Sequence, residues 1–144
     1  MSAESFKAYL GRVQAAVKQK SDGIQIAALK SLEAEHKTRI FNEGQATTGQ
    51  PIGKYSPGYA KKRRSAGRQT QYVDLEFFGN LRKNIQVGKS QGRNVYGFLN
   101  TLQRKIAEEN QRRFGKRIFN ITAKEAKDVS SRVALGLRKA IANV

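Results

Sequence analysis

The chain has 144 residues, 38% of them hydrophobic, no cysteine and a formal net charge of +17. Disulfides and thiolate metal sites are excluded. No apolar run approaches the roughly 20 residues that cross a bilayer, and the N-terminus lacks a signal-peptide core. The expectation is therefore one modest domain over residues 1–144, made in a cytoplasm, part of it extended or buried only in an assembly.

Residues 3 to 19 read as a helix, because Phe6, Tyr9, Leu10, Val13, Ala16 and Val17 recur at three- and four-residue steps. Ser21-Asp22-Gly23 predicts a break or re-cap. A second helix follows from Ile24 to Glu43, with Ile24, Ala28, Leu32 and Ile40 as its stripe and Gly44 as C-cap. One long helix kinked at Gly23 is the alternative. His36, the sole histidine, lies on or near that stripe. Without cysteine or an acidic cluster it is a poor metal ligand, and a partly buried helix residue is expected.

Residues 44 to 70 hold five of the 13 glycines and both prolines. They show neither helical nor strand period and predict a long loop, of the kind that is functional or disordered. Its Lys61–Arg64 run reads as an arm that orders on a neighbour or on DNA, with Tyr55 and Tyr59 as anchors. Beyond it, Tyr72, Val73, Leu75, Phe77 and Phe78 form an apolar cluster. Asp74 is expected to cap a short helical turn ending at Gly79. A catalytic pairing with Glu76 finds no histidine, cysteine or second carboxylate cluster for acid–base work.

Arg82 to Val87 alternates loosely and predicts a strand. Gly88 to Gly92 supplies a turn, and Asn94 to Leu99 a second strand, giving a hairpin with Lys89 and Arg93 at its tip. Thr101 caps a polar helix to about Phe114, whose apolar line of Leu102, Ile106 and Phe114 is too thin to hold it alone. Ile118 to Ile121 reads as a third short strand. Thr122-Ala-Lys-Glu125 is a capping box opening a helix to about Ala142. Ala126, Val129, Val133, Leu137, Ala140 and Ile141 form its stripe, expected to pack beside the second helix. The fold class expected is α+β: a small antiparallel sheet (hairpin plus short strand) packed by N- and C-terminal helices, with a long basic loop.

The charge is uneven. Residues 54–93 carry ten basic and two acidic residues, and residues 101–117 six basic and two acidic. Such a field favours nucleic acid or an acidic protein surface. No phosphate loop of standard spacing occurs, since Gly88-Lys-Ser lacks the leading glycine. No nucleophile–histidine–acid order, metal-ligand spacing or sequence-reading nucleic-acid motif is visible. No enzymatic activity, cofactor or small-molecule substrate is inferred.

Gly53, Tyr55, Tyr59, Lys61 to Arg64 and Gly67 are followed by Asp74, Leu75, Gly79, Leu81, Asn84 and Ile85. The hairpin comes next, then Arg117-Ile118-Phe119 and a C-terminal helix. In this order the chain resembles the head–tail joining and tail-completion proteins of tailed phages, the virion-morphogenesis type. The resemblance covers roughly residues 24 to 142. It departs at residues 1–20, an added N-terminal segment, and at Leu102–Phe114, where a polar helix replaces a shorter loop. It implies a homo-oligomeric ring in the virion neck, joining the portal or its adaptor to the tail tube and completing the DNA channel. The implied contacts are Tyr55, Tyr59, Lys61, Lys62, Arg63, Arg64, Arg68, Lys89, Arg93, Arg112 and Arg113. The alternative is a sequence-nonspecific nucleic-acid-binding protein of the packaging or nucleoid kind.

Overall fold

The computed structural model describes residues 2–76 and 79–144. It is α+β. Helix α1 spans Ala3–Lys37 and widens at its exit into a π turn, Thr38–Asn42. Then follow α2 (Pro57–Ser65), α3 (Asn80–Asn84), strands β1 (Ile85–Ser90) and β2 (Arg93–Phe98), α4 (Thr101–Phe114) and α5 (Ala123–Ala142). Helix α1 is the spine, with α5 packed along it and the hairpin laid against it.

The break expected at Ser21-Asp22-Gly23 is not there, and α1 runs through it as one helix. A glycine inside a helix costs only about 1 kcal/mol. Asp22 turns outward to accept from Lys89 Nζ (2.9 Å) and Asn94 Nδ2 (3.0 Å) on the hairpin rather than capping. The π turn has a packing reason. It buries three successive residues, Arg39, Ile40 and Phe41, which an ordinary turn would spread around the helix. Gly44 then takes φ +63°, and a Cβ there would meet the Val73 carbonyl oxygen at 2.7 Å. The chain can reverse at that point only with glycine.

Strands β1 and β2 pair antiparallel, Ile85 opposite Phe98 and Val87 opposite Tyr96. Their two-residue turn, Gln91-Gly92, has positive φ at both positions, matching the twist of the strands. The turn is tighter than expected, because Gly88–Ser90 belong to β1. The strand also starts later: residues 82–84, expected as its first residues, belong to the helix α3. The expected third strand, Ile118–Ile121, does not form, and among the described residues the sheet has two strands. Side chains take the place of its ladder. Gln111 Oε1 accepts from the backbone N–H of Ile118 (2.8 Å) and Phe119 (3.2 Å). Arg39 donates to the carbonyls of Ile118 and Asn120, and His36 to that of Phe119. A segment satisfied in this way needs no neighbouring strand.

The capping box is present: Thr122 Oγ1 accepts from Glu125 N–H (3.0 Å), and Glu125 Oε2 from Thr122 N–H (2.9 Å). Helix α4 begins one residue earlier than expected, capped by Asn100. The core gathers Ile40, Phe41, Ala46, Ile52, Val73, Leu81, Ile85, Ala107 and Ile118. Ala46 and Ile52 come from the stretch read as loop. The expected aromatic partners Phe77 and Phe78 lie outside the described residues.

His36 is fully buried, more so than expected. Its Nε2 lies 3.1 Å from the Phe119 carbonyl, which can only accept, so that nitrogen carries the proton. Nδ1 therefore accepts from Tyr96 Oη at 2.6 Å. Burial, with the nearby Arg39 charge, lowers the imidazole pKa from 6.5 to about 4. The unfolded chain takes up its proton first as pH falls, so stability is full above about pH 6.5 and declines toward pH 4. The loss should reach about 2 kcal/mol by about pH 5. Urea midpoints across that window should fall for the native chain and stay flatter for His36→Gln.

Candidate assembly and polyanion surface

The stretch expected to be an open arm is built on a buried ion pair. Ser56 caps α2, with Pro57 in its first turn, so Lys61–Arg64 lie on a helix and point to different sides. Arg63 points inward and is 1% exposed. Its Nη2 donates to both carboxylate oxygens of Asp74 at 3.0 and 2.9 Å, and its Nε to the Gln69 carbonyl at 2.9 Å. Arg63 is thus corrected from a surface contact to the centre of the loop's scaffold. A guanidinium with a carboxylate can be buried where an unpaired one cannot.

Asp74 is more than the expected cap. Its Oδ1 accepts from Glu76 N–H, two residues on (2.9 Å), as a cap-like turn would. The remainder of that turn lies outside the described residues, and Gly79, at φ +76°, precedes α3. The same carboxylate also accepts from Tyr55 Oη (2.8 Å) and Gln69 Nε2 (2.6 Å). Burial, with Asp74 beside it, pushes the Tyr55 hydroxyl pKa upward, which keeps its proton in place to donate. Arg63 stacks 4.5 Å from the Tyr55 ring centroid, and Tyr59 meets Tyr55 edge-on at 5.3 Å. The tyrosines, read as anchors for a partner, are partly buried and brace the loop.

What remains outside is a basic ridge. Lys61, Lys62, Arg64 and Arg68 are exposed around α2 and its end. Arg112 and Arg113 are exposed on the last turn of α4. The two helices face each other across a surface cavity of about 490 Å³, lined by Lys54, Tyr59, Arg63, Asn110, Arg113 and Phe114 among others. Gly53 is needed there, since a Cβ would come within 2.7 Å of the Phe114 ring. Lys89 and Arg93 do not join the ridge. They sit at the hairpin tip, where Lys89 is held by Asp22 and Asn94 against α1.

Sequence reasoning missed a second buried pair. Arg39 Nε donates to Glu125 Oε1 at 2.8 Å, and Arg39 Nη1 to the Gln45 carbonyl at 3.0 Å. Burial raises the Glu125 pKa, but the Arg39 and Thr122 hydrogen bonds outweigh it and leave a net lowering. The signal was an arginine lying between His36 and Ile40 on a face otherwise destined for the core. No group of three or more His, Cys, Asp or Glu able to hold a metal occurs among the described residues, and no helix among them is long and apolar enough to cross a membrane.

No family model matches the chain, and neither a curated protein nor a solved structure is significantly similar to it.

Proposed function

We propose that this chain is a structural protein of a tailed-phage neck. Several copies form a ring between the portal or its adaptor and the tail tube, completing the channel for DNA. The observation that carries this reading is that the residues of the resemblance form one connected device. Tyr55, Arg63 and Asp74 lock the glycine-rich loop, Leu81 and Ile85 enter the core beside it, and Lys61, Lys62 and Arg64 are left facing outward. A rigid basic ridge repeated around a ring makes many weak contacts strong in sum, and closed symmetry stops the growth. Residence in the virion follows from this role. Particles assembled without the protein should appear by electron microscopy as DNA-filled heads apart from tails, or as heads that leak DNA. Complete infectious particles would overturn the proposal.

The second reading, nonspecific nucleic-acid binding, is favoured by the charge of +17 and the same ridge. Changing Lys61, Lys62 and Arg64 together to glutamate leaves the buried pair intact, so the fold should survive. On the neck reading this variant fails to join heads to tails. On the nucleic-acid reading it loses DNA affinity, and the salt slope of binding drops by about one per lost phosphate contact. Fluorescence titration of duplex DNA across a salt series, beside a head–tail joining assay, separates the two.

A further inference from the structure

Helix α5 lies antiparallel on α1, with Gly136 against Ile24 and Glu125 against Arg39. It ends at Ala142, six residues past Gly136 and so about level with Lys18. The first four turns of α1 therefore project beyond it by roughly 22 Å. Their apolar stripe continues the one that α5 covers, yet Phe6 is 51% and Leu10 42% exposed. A lone helix of this length is marginal in water, and nothing in the described chain lies over this one.

A second apolar feature is concave. Where α5 crosses α1, a groove of about 250 Å³ is lined by Ile24, Ala27, Ala28, Leu135 and Gly136, with Arg132 and Lys139 at its rim. Its floor is made of small residues, and Leu135 on its wall is 50% exposed. The projecting end cannot reach this groove in its own molecule, because it is collinear with the helix that forms one wall. The projecting end of another copy can.

We propose that the projecting end of α1 docks in the α1–α5 groove of a second copy of this chain. The contact is heterologous, ridge to groove, so it propagates from copy to copy and closes where the rotation allows. It extends the established α1–α5 packing by a third helix. A helix of this length in a groove buries on the order of 1,000 Å² in total, the lower bound for a specific interface, and each copy in a ring makes two such contacts. Only the closure into a ring rests on the neck reading.

The rims are alike in charge: Lys7 and Arg12 flank the ridge, and Arg132 and Lys139 the groove. Salt should therefore strengthen this association by screening, whereas it weakens phosphate binding.

Sedimentation velocity on the full chain tests the proposal. The native protein should form species larger than dimers, increasingly so as salt rises. The double variant Phe6→Ser/Leu10→Ser and the single variant Leu135→Arg change exposed side chains and keep the fold. Each alone should lower the association constant at least ~10-fold. Mixed, they restore one intact ridge and one intact groove, and dimers should appear with no larger species. A native chain that stays monomeric at all concentrations and salts overturns the proposal, as do variants that assemble like the native chain or a mixture that stays monomeric. Assembly in solution beside complete particles lacking the protein would remove the neck reading and leave this contact standing.

Discussion

Asp74→Ala should destabilise the chain by about 3–5 kcal/mol, the cost of breaking a buried ion pair from one side. Among the described residues Asp74 is the carboxylate that Arg63 bonds, and it also receives the Tyr55 hydroxyl, the Gln69 amide and the Glu76 N–H. Its loss leaves a guanidinium that is 1% exposed without the carboxylate that offsets its charge. For a domain of this size the midpoint of thermal unfolding should fall by roughly 10 °C or more. Adding Arg63→Met should recover part of the loss, because it removes the buried charge that has lost its carboxylate. If the single variant melts within a degree or two of the native protein, the pair does not organise the loop. The consequence reaches the surface as well. Once Arg63 is freed, α2 loses its inward tether, and hydrogen exchange should accelerate first over residues 54–76.

Arg39→Leu should cost a similar amount, about 3–5 kcal/mol, and should change the pH response. Arg39 bridges Glu125 and the carbonyls of Gln45, Ile118 and Asn120. It therefore ties the exit of α1, the segment replacing a third strand and the start of α5 in one place. In the native chain the Glu125 pKa lies below its ordinary 4.5. Its stabilising contribution is present above that unfolded value and is lost as pH falls through the folded one. In the variant the carboxylate is buried without its cation, so its pKa rises and this contribution reverses, weakening the fold as pH rises through 4 to 6. Chemical denaturation of both proteins over that range checks the sign. A variant with the native profile would show that Glu125 finds another partner.

These two pairs mark where reading by pattern stopped. Helices α1, α4 and α5 are legible because their signals are local, a capping box at Thr122 with Glu125 and apolar stripes at three- and four-residue steps, whereas α2 and α3 lie in stretches that read as loop and strand. The hairpin was legible for the same reason, with its turn glycines between alternating strands. The errors share one cause. Ile118–Ile121 has a strand's composition, but Gln111, Arg39 and His36 come from distant elements to satisfy its backbone. Lys61–Arg64 reads as a uniform basic run until Ser56 and Pro57 start a helix that turns one member inward.

The candidate site divides in the same way. That the region from Lys54 to Arg93 is basic was plain from composition. Which of its charges face solvent was not, because a charge run does not reveal a carboxylate eleven residues away. Tyr55 and Tyr59 mark the region in the sequence as anchors for a partner, whereas in the fold they brace the loop from within. Residues 1–20 stand out in the sequence as an added segment, but their uncovered stripe depends on where α5 stops.

The sequence by itself determined the α+β class, the long helices, the hairpin, the basic balance and the absence of cysteine. All of these follow from the order and type of neighbouring residues. Only the tertiary structure decided that Arg63 and Arg39 are interior, that the supposed strand is held by side chains, and which apolar stripe remains bare. Burial of a charge depends on a partner brought close by the fold, and that distance is not written in the local pattern.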